Sequence, residues 1–374
     1  MRDSIIKAAV AAAIAVCVAG AASAQGIRLS GSASQTVQFR DNANFRNNGF
    51  SYTGTSNLSF QLSSETQTTR IYAGSGLSFR FDDQGNTKLS PPSLRLGFST
   101  GTQTTTLNGT LTYSEREISY DEVQPDLSIL TLNGDRINGR ATLGLNHQVN
   151  STTRVSVGAN VSILDFDPSS PALVASNTYG LTGGINYQAN SRTSFGVNGG
   201  LSFFDADNAA NTESTTTSIN GSVSHAINRT LNFNANVGAS FVETTASGVT
   251  TDTARYLFGA SLTQQLPDGS INLGLNQNIL PAASGNLVVN TGLRAGWSKQ
   301  INQNESIGLS ANLDLQENVN GSGQQTFFGI SPRYNVQLTR DVSANAAYTL
   351  QRDDAGNFSQ GLTFSISRNF DLPF

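Results

Sequence analysis

The stretch LNFNANVGASF, residues 231–241, decides the fold. Leu231, Phe233, Ala235, Val237, Ala239 and Phe241 alternate with Asn232, Asn234, Asn236, Gly238 and Ser240. Successive side chains leave a strand on opposite sides, so period two marks a strand with one apolar and one polar face. A helix would space apolar residues by three and four, and no long window does so. INLGLNQNI, residues 271–279, repeats the pattern. Outward from these segments it predicts strands at 27–39, 50–62, 71–81, 94–98, 107–113, 137–145, 155–163, 179–189 and 195–203. It continues at 219–227, 231–241, 256–266, 271–279, 287–297, 307–315, 328–338, 342–350 and 358–374. The fold class is all-β, with about 18 strands and 16 as the alternative count.

Connections alternate in length. Short turns such as 150–152, 190–192, 228–229, 267–269 and 339–341 lie between longer segments such as 81–91, 164–176, 205–213 and 243–253. Gln148, Gln188, Ala226, Gln265, Gln300 and Gln337 each precede a short turn at spacings of 35 to 40 residues, which makes the hairpin a loose repeat. A propeller blade has a similar period but needs four short strands, and only two long ones fit here. Short and long connections on opposite sides suit an up-and-down barrel across a membrane.

Charged residues are 13% of the 374, about half the roughly 25% of a soluble domain. Solvated strand faces normally carry Lys and Glu, yet the only lysines are Lys7, Lys88 and Lys299. Asn, Ser, Thr and Gly take their place, as suits a confined, water-filled lumen with the apolar face in lipid. A net charge of −4 argues against a nucleic-acid partner. One cysteine, Cys17, and two histidines exclude a disulfide scaffold and leave little for metal or acid–base chemistry. No cofactor, no metal and no enzyme activity are expected.

Arg2 and Lys7, the apolar run Ala8 to Val18 and the small residues Ala22 and Ala24 form a signal peptide over 1–24. Residues 25–374 then form one domain, the barrel.

With this leader, this strand pattern and the ending Phe370-Asp371-Leu372-Pro373-Phe374, the chain resembles the bacterial outer-membrane β-barrels, and among them the porins. The resemblance implies short periplasmic turns, longer extracellular loops and a passive channel for small hydrophilic solutes. It further implies that Phe370, Leu372 and Phe374 form the signal read by the barrel-assembly machinery, from which Pro373 departs. Outer-membrane lipids and lipopolysaccharide are the remaining partners, and a homo-oligomer stays open. A secretion or surface-structural barrel, exporting an anionic polysaccharide or acting as a surface receptor, is the alternative.

Arg28, Arg80, Arg95, Arg140, Arg294, Asp314, Arg333 and Arg368 are assigned to the lumen. They form either a weakly cationic wall or structural cross-strand pairs. Arg80 and Arg95 are expected together near the long-loop end, and Arg294, Asp314 and Arg333 on successive strands. The longest connection, 114–136, carries Glu115, Glu117, Asp121 and Glu122. In porins such a loop often folds inward as a constriction, and the alternative is an outward hairpin. Asp165, Asp167, Asp205 and Asp207 read as solvated loop charge rather than calcium ligands. His147 and His225, on the apolar face beside short turns, read as interfacial anchors rather than catalytic groups.

Overall fold

The protein is described by a computed structural model covering residues 26–41, 49–117, 135–167 and 173–373. The proposed signal peptide lies outside these residues. Eighteen strands are described: β1 (Ile27–Asp41), β2 (Phe50–Glu65), β3 (Thr69–Asp82), β4 (Thr87–Gly101), β5 (Thr105–Glu117), β6 (Asp135–Gln148), β7 (Thr153–Asp167), β8 (Ser176–Asn190) and β9 (Thr193–Ala206). They continue as β10 (Thr212–Ala226), β11 (Leu231–Ala246), β12 (Val249–Leu266), β13 (Gly269–Pro281), β14 (Leu287–Gln300), β15 (Glu305–Asn318), β16 (Gln325–Gln337), β17 (Val342–Arg352) and β18 (Phe358–Pro373). Each pairs antiparallel with its sequence neighbours, and β1 closes the ring on β18. The expected up-and-down barrel of 18 strands is the fold the chain adopts.

Register fixes the two faces, because directly paired residues share a side. Leu29, Val37 and Phe39 pair with Leu372, Phe364 and Leu362, which makes the apolar parity the outer one. Large apolar side chains stand open on it, with Val237 67% and Leu181 57% exposed. Such a surface calls for an apolar solvent. Phe39 stacks with Phe50 at 6.0 Å near one rim, and Phe60 meets Phe370 edge-on at 5.8 Å near the other. Phe370 also lies over Gly31, Phe81 over Gly54 and Phe98 over Gly109, so aromatic rings cover the outer face where glycine leaves the backbone bare.

The 35–40-residue repeat has a backbone cause. At the short-turn rim the N–H groups of Gln148, Gln188, Ala226, Gln265, Gln300 and Gln337 donate to the carbonyls of Thr104, Thr152, Arg192, Thr230, Asp268 and Asn304. Each bond ties one turn to the next. The Gln188, Gln300 and Gln337 amides also donate into their own turns, to Asn190 O (2.8 Å), Asn302 O (2.6 Å) and Thr339 O (2.7 Å). Asn150 Oδ1 and Asn228 Oδ1 accept backbone N–H bonds from residues two and three ahead, the Asx turn that favours Asn there.

At the other rim two expected loops are largely strand. Segment 81–91 keeps only a tight turn at 83–86, and from Thr87 it is already β4, which absorbs Pro91-Pro92 as a bulge opposite Leu77. Segment 243–253 becomes the top of β11 and β12, closed by Ser247 (φ 51°) and Gly248 (φ 76°). Both faces of this hairpin top meet water, so hydrophobic alternation disappears. Thr244, Thr245, Thr250 and Thr251 keep it extended through β-branching instead. Positive φ at both turn residues is the two-residue hairpin geometry. Replacing Gly248 with Val should therefore cost about 1–2 kcal/mol, read as a lower urea midpoint of the reconstituted barrel. Gly at 247 should leave the midpoint unchanged or raise it.

Candidate channel interior

The inner face of the wall is amide and hydroxyl surface built on glycine. Asn108 lies over Gly144, Asn160 over Gly180, Asn198 over Gly184, Asn236 over Gly259 and Asn312 over Gly329, each pair directly opposed across two strands. A Cβ on any of these glycines would press into the asparagine amide. The richness in Asn and Gly is thus one packing rule repeated around the barrel.

Charge divides the interior in two. Register puts Arg40, Arg80, Arg95, Arg116, Arg140 and Arg154 on the inner face of β1 and β3–β7. On β8–β11 every inner position is uncharged. Arg80 and Arg95 do not meet. Arg80 is level with Lys88 and Arg95 with Gly74, six residues lower on β3, or about 20 Å. β4 begins at Thr87 rather than Leu94, which sets Arg95 deep in the wall, its guanidinium 5.5 Å from the Tyr72 ring. Arg294 reaches Asp314 at 3.9 Å, and Asn312 Nδ2 donates to the same carboxylate at 2.6 Å. Arg333 stands apart, level with Gly308. Arg28 pairs with Asp371 at the short-turn mouth.

Arg368 departs from the expected lumen position. It shares its parity with Leu362, Phe364 and Ile366 and pairs with Ala33, so it lies on the outer face. The expected acidic loop also changes. β5 runs to Glu117 and β6 starts at Asp135, and those two residues pair. Glu115 is on the outer parity with Tyr113, whose hydroxyl donates to it at 3.2 Å. Asp121 and Glu122 lie outside the described residues. Asp165 and Asp167 belong to β7 and Asp205 to β9, and among the described residues no three acidic or imidazole groups converge as a metal site. His147 and His225 are on the outer face, bonded to Thr105 (2.8 Å) and Thr193 (3.0 Å) on the next strand. Phe370 packs at the seam, Leu372 pairs with Leu29, and Phe374 lies outside the described residues.

A different segment enters the lumen. β12 and β13 pair from Leu266–Gly269 only as far as Gly259–Asn276. Above that point β12 follows β11 alone, and β13 follows β14 alone. The β13–β14 hairpin leaves the wall and leans inward. Its tip is held by Val174 N–H donating to Ala283 O (2.8 Å) and by Asn208 Nδ2 donating to Gly285 O (3.4 Å). Ala283 packs on Phe166 and Leu173. Leu287 packs on Val174, Phe204 and Ala206, and Val289 on Val242 and Val319. Phe166, Phe204 and Val242 are inner-face residues of β7, β9 and β11, so the barrel holds a small apolar core inside its polar lumen. Arg255, on the inner face of β12, spans the split: Nε and Nη2 donate to Val319 O (2.8 and 2.6 Å), and Nη1 is 3.1 Å from Glu317.

Sequence reasoning missed this hairpin although a signal was present. Ile279 to Ala283 and Leu287 to Val289 are unbroken apolar runs, the mark of a segment buried on both faces.

No family model matches the chain, and comparison with curated proteins finds no match. Solved structures do resemble it. OccAB4 of Acinetobacter baumannii superposes with a TM-score of 0.54 at 10% identity, over 94% of this chain and 99% of that one. The outer membrane protein OpdK of Pseudomonas aeruginosa, also solved with vanillate, gives 0.52 at 8%, over 92% and 99%. The FrpB iron transporter of Neisseria meningitidis gives 0.55 at 9%, over 88% of this chain and 61% of that one. At these identities the likeness establishes the fold, that of an outer-membrane barrel.

The inward hairpin yields a prediction. Val289→Asp places a carboxylate in the small core, where an unpaired ion costs several kcal/mol. The hairpin should detach while the wall persists. Single-channel conductance in a planar bilayer should rise severalfold, with gel migration of the folded barrel unchanged.

Proposed function

We propose that the barrel lies in the bacterial outer membrane and passes small hydrophilic solutes by passive diffusion. The observation that carries this reading is the combination of an apolar outer face with an inner face of Asn, Ser, Thr and Gly. The chain would be exported by the 1–24 segment and inserted by the barrel-assembly machinery. Both termini and the short turns would face the periplasm, with lipid and lipopolysaccharide around the wall.

The inward hairpin covers the uncharged inner face of β9–β11 in its long-loop half. The open path therefore runs beside the arginine-bearing wall of β1–β7. Arginine at the path attracts anions, and small carboxylates such as the vanillate seen with OpdK are of the class this wall favours. A unit charge about 8 Å away contributes roughly 2 kcal/mol at an effective dielectric of about 20, before salt screening.

Purified full-length protein in a planar bilayer tests the reading. Discrete ohmic conductance is the expected result. A folded barrel that never conducts would end the channel reading in favour of an export or structural role. Among the conducting forms, Arg140→Gln with Arg333→Gln should move the reversal potential toward cations at 0.1 M salt. The shift should shrink toward 1 M, as the Debye length falls from about 10 Å to about 3 Å.

A further inference from the structure

The outer face at the seam departs from the rest of the lipid-facing wall. Register puts Gln35, Ser56 and Arg368 there among Leu58, Phe364 and Ile366. Arg368 is exposed and meets no carboxylate among the described residues. The other outer-face cation near the short turns, Lys299, has Asp268 at 3.5 Å. An uncompensated guanidinium on a lipid-facing strand is costly near the bilayer centre and nearly free at the interface. Arg368 is level with Val342, the first residue after the 338–341 turn, and so lies at the short-turn interface.

Gln35 is two residues further along β1 from Ala33, the direct partner of Arg368. It therefore lies about 7 Å deeper on the same face. Its Oε1 accepts from the Ser56 hydroxyl, which fixes the amide and turns its N–H donors elsewhere. Two apolar grooves meet at Gln35 and Ile366. One, of about 610 Å³, runs toward Leu77 and Phe79 over the small residue Ala33. The other, of about 330 Å³, runs over Ala344 and Ala346.

We propose that this seam binds one diacyl phospholipid of the periplasmic leaflet, preferentially an anionic one. Arg368 takes the phosphodiester, Gln35 donates to an ester carbonyl one layer deeper, and the two acyl chains lie in the two grooves. The pairing of a cation above a fixed amide, with apolar channels diverging below it, has the polarity sequence of a glycerophospholipid. The placement in the periplasmic leaflet rests on the outer-membrane reading above.

The test uses full-length barrel in bilayer discs of equal phosphatidylglycerol and phosphatidylcholine, followed by native mass spectrometry. The wild type should retain one phosphatidylglycerol in preference to phosphatidylcholine. Arg368→Gln should cut that retention about tenfold, equivalent to about 1.4 kcal/mol. Ala33→Phe, which fills the larger groove and keeps the charge, should abolish it. Both variants should migrate as folded barrels and conduct as the wild type does. Equal retention of both lipids, or wild-type retention by Arg368→Gln, overturns the proposal. So does a dimer that Ala33→Phe dissociates with lipid retention unaltered, since the face is then a contact between copies. A barrel that retains the lipid but does not conduct refutes the channel reading and leaves the lipid site standing.

Discussion

The hydrogen bonds between β1 and β18 are the interaction on which everything else rests. Their register runs from Arg28–Pro373 to Asp41–Gln360 and joins the two ends of the chain. A backbone N–H or C=O left unpaired in hydrocarbon costs several kcal/mol, so a sheet can face lipid only when it has no edge. Closure brings both described ends of the sheet to one rim. It also turns a plain alternation of residues into two solvents, lipid outside and water inside.

Between β12 and β13 the wall gives up this ladder above Gly259 and Asn276. The strands freed there do not face lipid with bare edges. β13 and β14 lean into the lumen, where Val174 and Asn208 supply donors to the tip carbonyls and Val242, Phe204 and Phe166 supply apolar contact. Arg255 closes the base by bonding the Val319 carbonyl. Four rim turns share one five-residue geometry with a glycine at positive φ in fourth place: Gly85, Gly285, Gly321 and Gly356. Three begin with Asp82, Asn318 or Asp353, and the buried one begins with Ala282. The loss of a polar cap where the turn enters an apolar core is what burial requires.

Much of the fold was legible because lipid and lumen impose opposite demands on adjacent residues. Leu231 to Phe241 satisfies both without exception, and Gln148, Gln188, Gln300 and Gln337 mark turns they help to hold. The site was less legible. Arg95 lies deeper than the 81–91 connection would put it, because a bulge carries β4 through Pro91-Pro92. Charge alone would put Arg368 in the lumen, whereas its parity with Phe364 and Ile366 puts it in the lipid-facing set. Glu115 reads as loop because alternation fades once both faces of a strand meet water.

The sequence by itself determined the all-β class, the alternation of apolar and polar faces along each strand and the hairpin repeat, since all three follow from period-two patterning and local turn chemistry. Only the tertiary structure decided where the bore narrows and which charges meet. Ile279 to Ala283 shows that the segment is buried on both faces but not against what, because Phe166, Phe204 and Val242 come from strands more than thirty residues away. Arg294 with Asp314, Arg255 with Val319, and Arg368 beside Gln35 depend on register between strands. A shift of one residue would turn every one of those side chains to the other face.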